Sequence, residues 1–238
     1  MGILGGMGPA ATADFFAKLV AATPALVDQD HLQVLLWSDP LVPDRSDALL
    51  DRGPDPTARL LHGARLLATG GARLIAVPCN TAHAFLEPVG RQAGVEIVHM
   101  IEETAREVAE ISPAIGRIGL LATTGTVRAG LYQACLAAWD IETVAPTAAD
   151  QNEVAEAIRW VKSGSREGLA ADVFAEIGER LVARGARALI AGCTEIPLVY
   201  GGSDASVPVI DPTEVLAAAV VRYVACRSQN IGGRFRSS

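Results

Sequence analysis

The sequence alternates short apolar segments, rich in β-branched residues, with longer segments in which apolar residues recur at helical spacing. Ile101, Ala105 and Val108, for example, are spaced as residues on one face of a helix. Such βαβα order predicts a parallel sheet covered by helices. The predicted helices occupy residues 9–22, 57–69, 81–93, 101–111, 126–138, 150–162, 168–184 and 213–227, and the predicted strands are GILGG, VLLW, LIAVP, VEIVHM, RIGLLAT, IETVA, ALIAGC and VPVI.

Two pairs of segments from the two halves of the chain resemble each other. Residues 71–79 read GARLIAVPC and residues 185–193 read GARALIAGC, while GILGGMG at 2–8 corresponds to GLLATTG at 119–125. Both correspondences occur in the same order and at nearly the same offset. The sequence therefore predicts an internal duplication, with two α/β lobes in series and one cysteine at an equivalent position in each.

The composition excludes several classes of protein. The chain has 238 residues, of which 50% are hydrophobic and 20% charged, which is typical of a globular protein and atypical of a disordered or collagen-like one. Its longest apolar stretch, Val215 to Val221, is far shorter than the roughly 20 residues of a membrane-spanning helix. Because the net charge is −7, the basic surface that attracts nucleic acids or anionic membranes is not expected. An acidic small molecule is compatible with this charge only if cations are placed locally at its site.

The four cysteines lie far apart and form no CxxC pair. This spacing favours free thiols in a reducing compartment over disulfides or a zinc site, so no metal is expected. The chain begins with a strand-like MGILGG and no basic leader, which predicts a cytoplasmic protein. Cys135 and Cys226 lie within helical apolar patterns, where each is expected to be a small buried hydrophobic residue. The final GGRFRSS is expected to be a disordered tail.

Cys79 and Cys193 each end a predicted strand at the point where the chain turns into a helix. Open α/β sheets place their ligand sites at this edge. Small polar residues follow both cysteines, and the partial positive charge of a helix start favours thiolate over thiol. A reaction that removes a proton from one face of a carbon and returns one to the opposite face needs such a pair of base and acid. We therefore predict two reactive sulfurs facing one substrate.

Removal of a proton from a carbon beside a carboxylate also requires donors that stabilise the enolate-like charge. Backbone N–H groups and side chains at Asn80, Thr81, Thr124 and Thr194 are the candidates, because they follow predicted strands at the same edge of the sheets. The sequence thus predicts a complete proton-transfer site.

Seven segments in order, GILGGMGPAAT, DQDHLQV, PDRS, VPCNTAHAF, ATTGT, VKSG and GCTEIPL, resemble the aspartate racemases of the aspartate/glutamate racemase superfamily, which work without pyridoxal phosphate. The resemblance extends over nearly the whole chain. It implies an α/β fold of two Rossmann-like lobes, with parallel sheets related by pseudo-twofold symmetry and an active site in the interlobe cleft. Lobe 1 would comprise residues 1–99 and 209–238, and lobe 2 residues 100–208. Racemisation of aspartate without a cofactor, by a homodimer, is a further implication.

The resemblance also implies roles for individual residues. Cys79 and Cys193 are the two catalytic bases, with Cys193 acting on the L enantiomer and Cys79 on the D enantiomer. Arg45 and Lys162 bind the side-chain carboxylate of the substrate. Lys162 is one of only two lysines in the chain, although it could instead cap a helix before Ser163, and Arg45 could be a solvated surface residue. The other expected substrate contacts are Met7, Asn80, Thr81, Ala82, Thr124 and Thr194, with His83 and Glu195 behind them.

Several alternatives stay open from the sequence. His83 follows Cys79 by four residues and would share a helix face with it, so this pair could be the nucleophile of a hydrolase or transferase. The loop from Gly6 to Ala11 matches G-x-G-x-x-G/A and, with Asp39, could bind a nicotinamide dinucleotide. The superfamily also includes racemases of glutamate, hydantoins or many amino acids, and maleate isomerases. A non-catalytic binder of acidic amino acids would have the same cations.

Overall fold

The computed structural model describes residues 1–111 and 116–232, so most of the predicted C-terminal tail lies outside the described residues. The strands are β1 (Gly2–Gly5), β2 (Leu35–Ser38), β3 (Leu74–Ala76), β4 (Glu96–Val98), β5 (Arg117–Ala122), β6 (Glu142–Val144), β7 (Leu189–Gly192) and β8 (Val209–Ile210). They form two parallel four-stranded sheets, in the orders β2-β1-β3-β4 and β6-β5-β7-β8. The second sheet thus repeats the strand order of the first, which agrees with the predicted duplication and two-lobe α/β fold.

Ten α-helices are present in the described part of the chain. They are α1 (Pro9–Ala22), α2 (Arg45–Leu49), α3 (Thr57–Thr69), α4 (Leu86–Ala93), α5 (Met100–Ile111), α6 (Thr124–Arg128), α7 (Leu131–Ala137), α8 (Ala148–Lys162), α9 (Glu167–Ala183) and α10 (Pro212–Gly232). Short 3-10 turns occupy Asp28–Asp30, Asn80–Phe85 and Ile196–Leu198. No described helix has the length and apolar character needed to cross a membrane.

Three helical segments differ from the sequence prediction. The helix predicted over 81–93 is divided into the 3-10 turn at Asn80–Phe85 and the α-helix α4. The helix predicted over 126–138 starts earlier and is interrupted at Gly130, whose φ of 66° is the left-handed conformation that glycine tolerates. Helix α2 was not predicted; it is short and begins because the Asp44 side chain accepts hydrogen bonds from two backbone N–H groups.

Helices cover both faces of each sheet, because successive strand residues point into different apolar clusters. Ile3 of β1 packs in a cluster with Phe15 of α1. Its neighbour Leu4 packs on the opposite face with Leu60 of α3. Strand β5 alternates in the same way between two clusters of the second sheet. This burial fixes the sheets and leaves their carboxyl ends free to form a site.

The C-terminal helix α10 packs against the first lobe. Leu216 and Val220 belong to the apolar cluster around α1, and Lys18 of α1 pairs with Asp211 at 2.6 Å. Val209–Ile210, however, pairs with β7 of the second sheet. The predicted return to lobe 1 at residue 209 is therefore placed too early for these two residues, because they complete the second sheet before the chain crosses over.

The two cysteines assigned to buried apolar roles differ from each other. Cys135 of α7 is half-buried and packs against the cluster around β5. Cys226 of α10 is exposed, so its predicted burial is wrong. Apolar spacing on a helix defines a face but does not show whether another element covers it.

Candidate active site

The carboxyl ends of both sheets meet at one small cavity, and both predicted cysteines line it. Cys79 follows β3 and Cys193 follows β7, so each sulfur follows the third strand of its own sheet along the chain. Each cysteine is only 5% exposed. The cavity collects side chains from both lobes: Met7, Asp44, Arg45, Ser46, Cys79, Asn80, Thr81, Thr123, Lys162, Cys193, Thr194 and Glu195.

The cavity that both cysteines line is small in this structure. The cavity has a volume of ≈ 10 Å³, about the room that one water molecule occupies. It shares lining residues with a cavity of ≈ 240 Å³ between α2 and α8, and with another of ≈ 210 Å³ beside the loop from β1 to α1. A ligand larger than water therefore requires displaced side chains or a movement of the lobes.

Cys193 is held as a thiol by its surroundings. Its Sγ donates a hydrogen bond to Oε2 of Glu195 at 3.0 Å. Burial raises the pKa of the Cys193 thiol, and the charge of Glu195 raises this pKa further against the opposing effect of Lys162. The pKa lies well above its ordinary value. The prediction that a helix start favours thiolate is wrong for this cysteine, because burial and a carboxylate outweigh it.

Cys79 lies beside a cation instead. It immediately precedes the 3-10 turn and has extended backbone, and the guanidinium of Arg45 lies next to its sulfur. Burial acts to lower the pKa of Arg45, but the negative charges of Cys79 and Asp44 outweigh it and raise the pKa. A neighbouring guanidinium stabilises a thiolate. The two sulfurs therefore face charges of opposite sign.

Arg45 is more enclosed than the loop cation that the sequence predicted. It is the first residue of α2 and is 8% exposed. Its guanidinium donates to the backbone oxygens of Met7 at 3.0 Å and Pro43 at 3.1 Å. Its Nε is buried and has no hydrogen-bond partner among the described residues. Because buried donors normally have acceptors, this nitrogen is suited to an anionic ligand.

Lys162 is the last residue of α8 and lies in the cleft, in contact with solvent. The described residues contribute no ion pair to its ammonium group. Burial by the cleft walls acts to lower the pKa of Lys162, but the charges of Glu195 and Cys193 outweigh it and raise the pKa. Lys162 therefore stays charged at neutral pH and is suited to bind a carboxylate.

Polar side chains from the two lobes are hydrogen-bonded to each other at one wall of the cavity. The hydroxyl of Thr81, in the first lobe, lies 3.0 Å from that of Thr123 and 2.9 Å from that of Thr126, both in the second lobe. Next to them the Tyr132 hydroxyl donates to Oδ1 of Asn80 at 2.5 Å. We call these five residues the interlobe seam. The seam fixes Asn80 and Thr81 relative to the second lobe.

Three residues predicted at the site lie outside the cavity. Ala82 is fully buried in the apolar core of the first lobe. Thr124 lines the outer cavity between α2 and α8, one residue beyond Thr123. Nε2 of His83 lies 3.2 Å from the carbonyl oxygen of Val77, and its ring packs against His99 at 4.7 Å between centroids. Burial lowers the pKa of His83 to about 3. This neutral ring contacts Val77 and His99, and no described hydrogen bond joins it to Cys79, which disfavours a Cys79–His83 nucleophile.

Asp44, Ser46 and Thr123 line the cavity but were not predicted as site residues. The motifs already contained these three residues, because Asp44 and Ser46 flank Arg45 in the PDRS segment, and Thr123 precedes Thr124 in ATTGT. Adjacent residues in these motifs differ in the direction of their side chains, which the sequence does not specify.

The glycine loop after β1 has a structural explanation. Gly6 has a φ of 94°, and a Cβ there would lie 2.2 Å from the backbone nitrogen of Asp39. The Asp39 carboxylate accepts two hydrogen bonds from Arg59, at 2.7 and 3.1 Å. It is thus engaged in an ion pair rather than free for a ribose. Among the described residues, no cluster of His, Cys, Asp and Glu could hold a metal ion.

The comparisons with known proteins agree with this geometry. The family model described as Asp/Glu/hydantoin racemase matches residues 4–220. A broad specificity amino-acid racemase of Bacillus subtilis, RacX, is 29% identical over 236 residues, which cover 96% of this chain and 100% of that protein. The solved aspartate racemase of Picrophilus torridus is 32% identical with a TM-score of 0.82, and the match covers 94% of both chains.

A solved glutamate racemase, RacE1 of Bacillus anthracis, has the same fold. It gives a TM-score of 0.70 at 16% identity, covering 95% of this chain and 81% of that one. The family match extends over most of the chain, and the two-lobe architecture is shared with these solved structures. The chain therefore belongs to the Asp/Glu/hydantoin racemase family and is an isomerase of the racemase class, as its motifs predicted.

Proposed function

We propose that this protein racemises an acidic amino acid, aspartate in particular, by a two-base mechanism without pyridoxal phosphate. The observation that carries the proposal is the shared cavity of Cys79 and Cys193, since each sulfur comes from a different lobe and the cations Arg45 and Lys162 line the same cavity. In the proposed complex the substrate α-carbon lies between the two sulfurs, with one sulfur on each face. This is the arrangement that inversion at carbon requires.

The unequal charges around the sulfurs define the resting state. We assign the resting proton to Cys193, which donates a hydrogen bond to Glu195, and the role of base to Cys79, which lies beside the guanidinium of Arg45. The Cys79 thiolate takes the α-proton, and the electron pair of the broken C–H bond is delocalised into the α-carboxylate. Cys193 then gives its proton to the opposite face of the carbon. The reverse direction exchanges the two roles.

Two cations and two buried N–H donors without described acceptors favour an anionic substrate. Nε of Arg45 and Nδ2 of Asn80 are both buried without a described partner, and Lys162 is charged and forms no ion pair with the residues that the structure describes. These groups are concentrated at one cavity of a chain whose net charge is −7. Carboxylates are the ligands that satisfy them best. The smaller of the two common acidic amino acids suits the narrow space between the cysteines.

Substrate entry requires the cleft to widen. The lobes approach closely at α2 and α6, where a Cβ on Gly125 would lie 2.6 Å from Cα of Ser46. The ≈ 240 Å³ cavity beside this contact provides the room into which α2 and Lys162 can shift. We infer that the structure is the closed form, with the α2–α6 contact as the place that opens.

A broader substrate range is the second candidate, favoured by the broad specificity racemase RacX of Bacillus subtilis, which aligns with this chain along its whole length. Glutamate, hydantoins and maleate are other substrates for the same pair of thiols. A racemase limited to aspartate turns over neither alanine nor glutamate at a comparable rate. Assays with all three amino acids distinguish these cases.

The deciding experiment follows L-aspartate in heavy water by chiral chromatography and by NMR of the α-position. We expect formation of D-aspartate with deuterium at the α-carbon, and loss of racemisation in Cys79→Ser and in Cys193→Ser. Cys135→Ser, a cysteine outside the cavity, is the matched control and keeps activity. Binding of aspartate without deuteration or inversion of any tested amino acid would instead identify a non-catalytic binder.

We also propose a homodimer in the cytoplasm. The free cysteines suit a reducing compartment. Strand β2 is an edge strand on which Leu35, Leu36 and Trp37 are 42%, 43% and 37% exposed. Parallel sheets are usually covered, so an exposed apolar edge favours contact with a second copy. Light scattering should give about twice the chain mass of 24.8 kDa, and Leu36→Glu should give the monomer.

A further inference from the structure

Tyr132 is a fully buried residue of the second lobe whose only polar atom reaches the first lobe. Its ring belongs to the apolar cluster around Ile118 and Leu136 and is 0% exposed. Its hydroxyl donates to Oδ1 of Asn80 at 2.5 Å. Asn80 directly follows Cys79 and lines the cavity. The phenol therefore contacts the candidate site through one amide and does not line it.

The hydrogen bond identifies which end of the Asn80 amide is left without a partner. Because the tyrosine donates to the oxygen, the Nδ2 group points away from Tyr132. Asn80 is 2% exposed, and its Nδ2 has no hydrogen-bond partner in the described structure. A buried NH₂ group without an acceptor is costly, and a carboxylate oxygen in the cavity would satisfy it.

We propose that Tyr132 is a positioning residue, which orients the Asn80 amide so that its NH₂ group donates to a carboxylate of the substrate. This inference rests on the proposed racemase function and extends it to a residue outside the cavity. Without the phenol the amide can rotate by half a turn. It would then present its oxygen to the carboxylate, and repulsion would replace a hydrogen bond.

The rigidity of Tyr132 makes it suited to this role. Burial raises the pKa of its hydroxyl well above the ordinary value, so the group keeps its proton and remains a donor throughout the working pH range. Apolar packing holds the ring in place, while the threonine hydroxyls of the interlobe seam hold the neighbouring Thr81. The second lobe thereby sets the orientation of a side chain that belongs to the first.

The test is a double-mutant cycle of Tyr132→Phe and Asn80→Ala, measured as the KM for L-aspartate and, by calorimetry, as its Kd. Tyr132→Phe should raise both constants about tenfold, the loss of one hydrogen bond to a charged group. In the Asn80→Ala background, the same substitution should change them less than about twofold, because the amide is already absent. Tyr200→Phe, a buried tyrosine of the same lobe, is the matched control and should change neither constant.

A merely structural role gives a different result. Tyr132→Phe would then lower the melting temperature and change KM and Kd by the same factor in the wild-type and Asn80→Ala proteins. This result would overturn the inference but leave the proposed racemase function intact. If Tyr132→Phe does not fold, the variant Asn80→Asp takes its place. A second oxygen in place of Nδ2 would repel the substrate carboxylate, so the Kd for L-aspartate should rise more than tenfold. An unchanged Kd would refute the contact between Asn80 and the carboxylate. Absence of binding by any acidic amino acid would overturn both this inference and the proposed function.

Discussion

The thiol of Cys193 donates a hydrogen bond to Glu195 at 3.0 Å, whereas Cys79, its counterpart in the other lobe, lies beside the guanidinium of Arg45. Two positions that the duplication makes equivalent in the chain are thus unequal in charge. A pair of identical thiols would have no preferred distribution of one proton between them. The carboxylate and the guanidinium provide that preference.

Single substitutions should separate the two half-reactions. In Cys193→Ser, Cys79 can still remove the α-proton of the enantiomer it serves, which the family resemblance assigns as D-aspartate. We expect exchange of the α-hydrogen of D-aspartate with heavy water to persist while racemisation falls roughly 10²- to 10⁴-fold. NMR of the recovered aspartate, with chiral analysis, measures both.

The reciprocal variant, Cys79→Ser, should favour exchange in L-aspartate. Equal residual exchange of both enantiomers in each variant would contradict a one-sulfur-per-face arrangement. Cys226→Ser, which changes an exposed cysteine of α10, serves as the control.

Glu195→Gln should narrow the pH range of activity from its alkaline side. The charge of Glu195 adds to burial in raising the pKa of Cys193, so removal of this charge lowers that pKa. Activity requires one sulfur to remain protonated, and it is lost as pH rises through the pKa of that thiol. The alkaline limb of the kcat/KM profile should therefore move to lower pH.

The matched control is Glu153→Gln, which removes an exposed carboxylate from the outer wall of the cleft. This variant should leave both the acidic and the alkaline limbs of the kcat/KM profile at their wild-type pH. An alkaline limb in Glu195→Gln at or above the wild-type position would show that Glu195 does not hold the Cys193 proton.

Lys162→Met should selectively weaken the binding of acidic substrates. The ammonium group is charged and makes no ion pair with the described residues, so a substrate carboxylate is its natural partner. Loss of one charge-assisted contact should raise the KM for aspartate roughly ten- to a hundredfold, with a smaller effect on any turnover of alanine. Steady-state kinetics with both amino acids test this, and Lys162→Arg should retain most of the affinity.

Arg159→Gln removes a cation one turn earlier on α8, where it lines the outer cavity. This control should change the KM for aspartate far less. A similar rise in both variants would indicate a general effect of charge in the cleft and would count against a direct contact by Lys162.

The lobes and the two cysteines could be predicted because the information is local. Apolar periodicity identifies strands and helices within a few residues, and the repeated GAR segments place Cys79 and Cys193 at corresponding strand ends. The motif resemblance added Arg45 and Lys162, and both lie in the cavity.

Other features of the site depend on contacts that no local pattern encodes. Tyr132 meets Asn80 across the interlobe boundary, which only the folded chain brings about. His83 was expected on the face of Cys79 because an α-helix has 3.6 residues per turn. The segment is instead a 3-10 turn with about three residues per turn, and Cys79 precedes it with extended backbone, so the α-helical spacing does not apply to this pair.

His83 should make the protein less stable in acid. Burial lowers its pKa to about 3 in the folded protein, below the ordinary value of about 6.5 in the unfolded chain. Between these values the unfolded chain binds a proton that the folded protein does not, so the stabilisation is complete above pH 6.5 and is lost as pH falls. The loss is up to about 1.4 kcal/mol per pH unit. The neighbouring His99, whose pKa burial also lowers, should contribute in the same direction.

Urea denaturation at pH 7, 6 and 5 measures this slope. His83→Gln should give a lower stability at pH 7 but a shallower dependence on pH, because one of the protonating groups is removed. His31→Gln, at an exposed histidine, should reproduce the wild-type slope. If the slope of His83→Gln equals that of the wild type, His83 titrates alike in both states, and its ring is not the buried neutral group that contacts Val77 and His99.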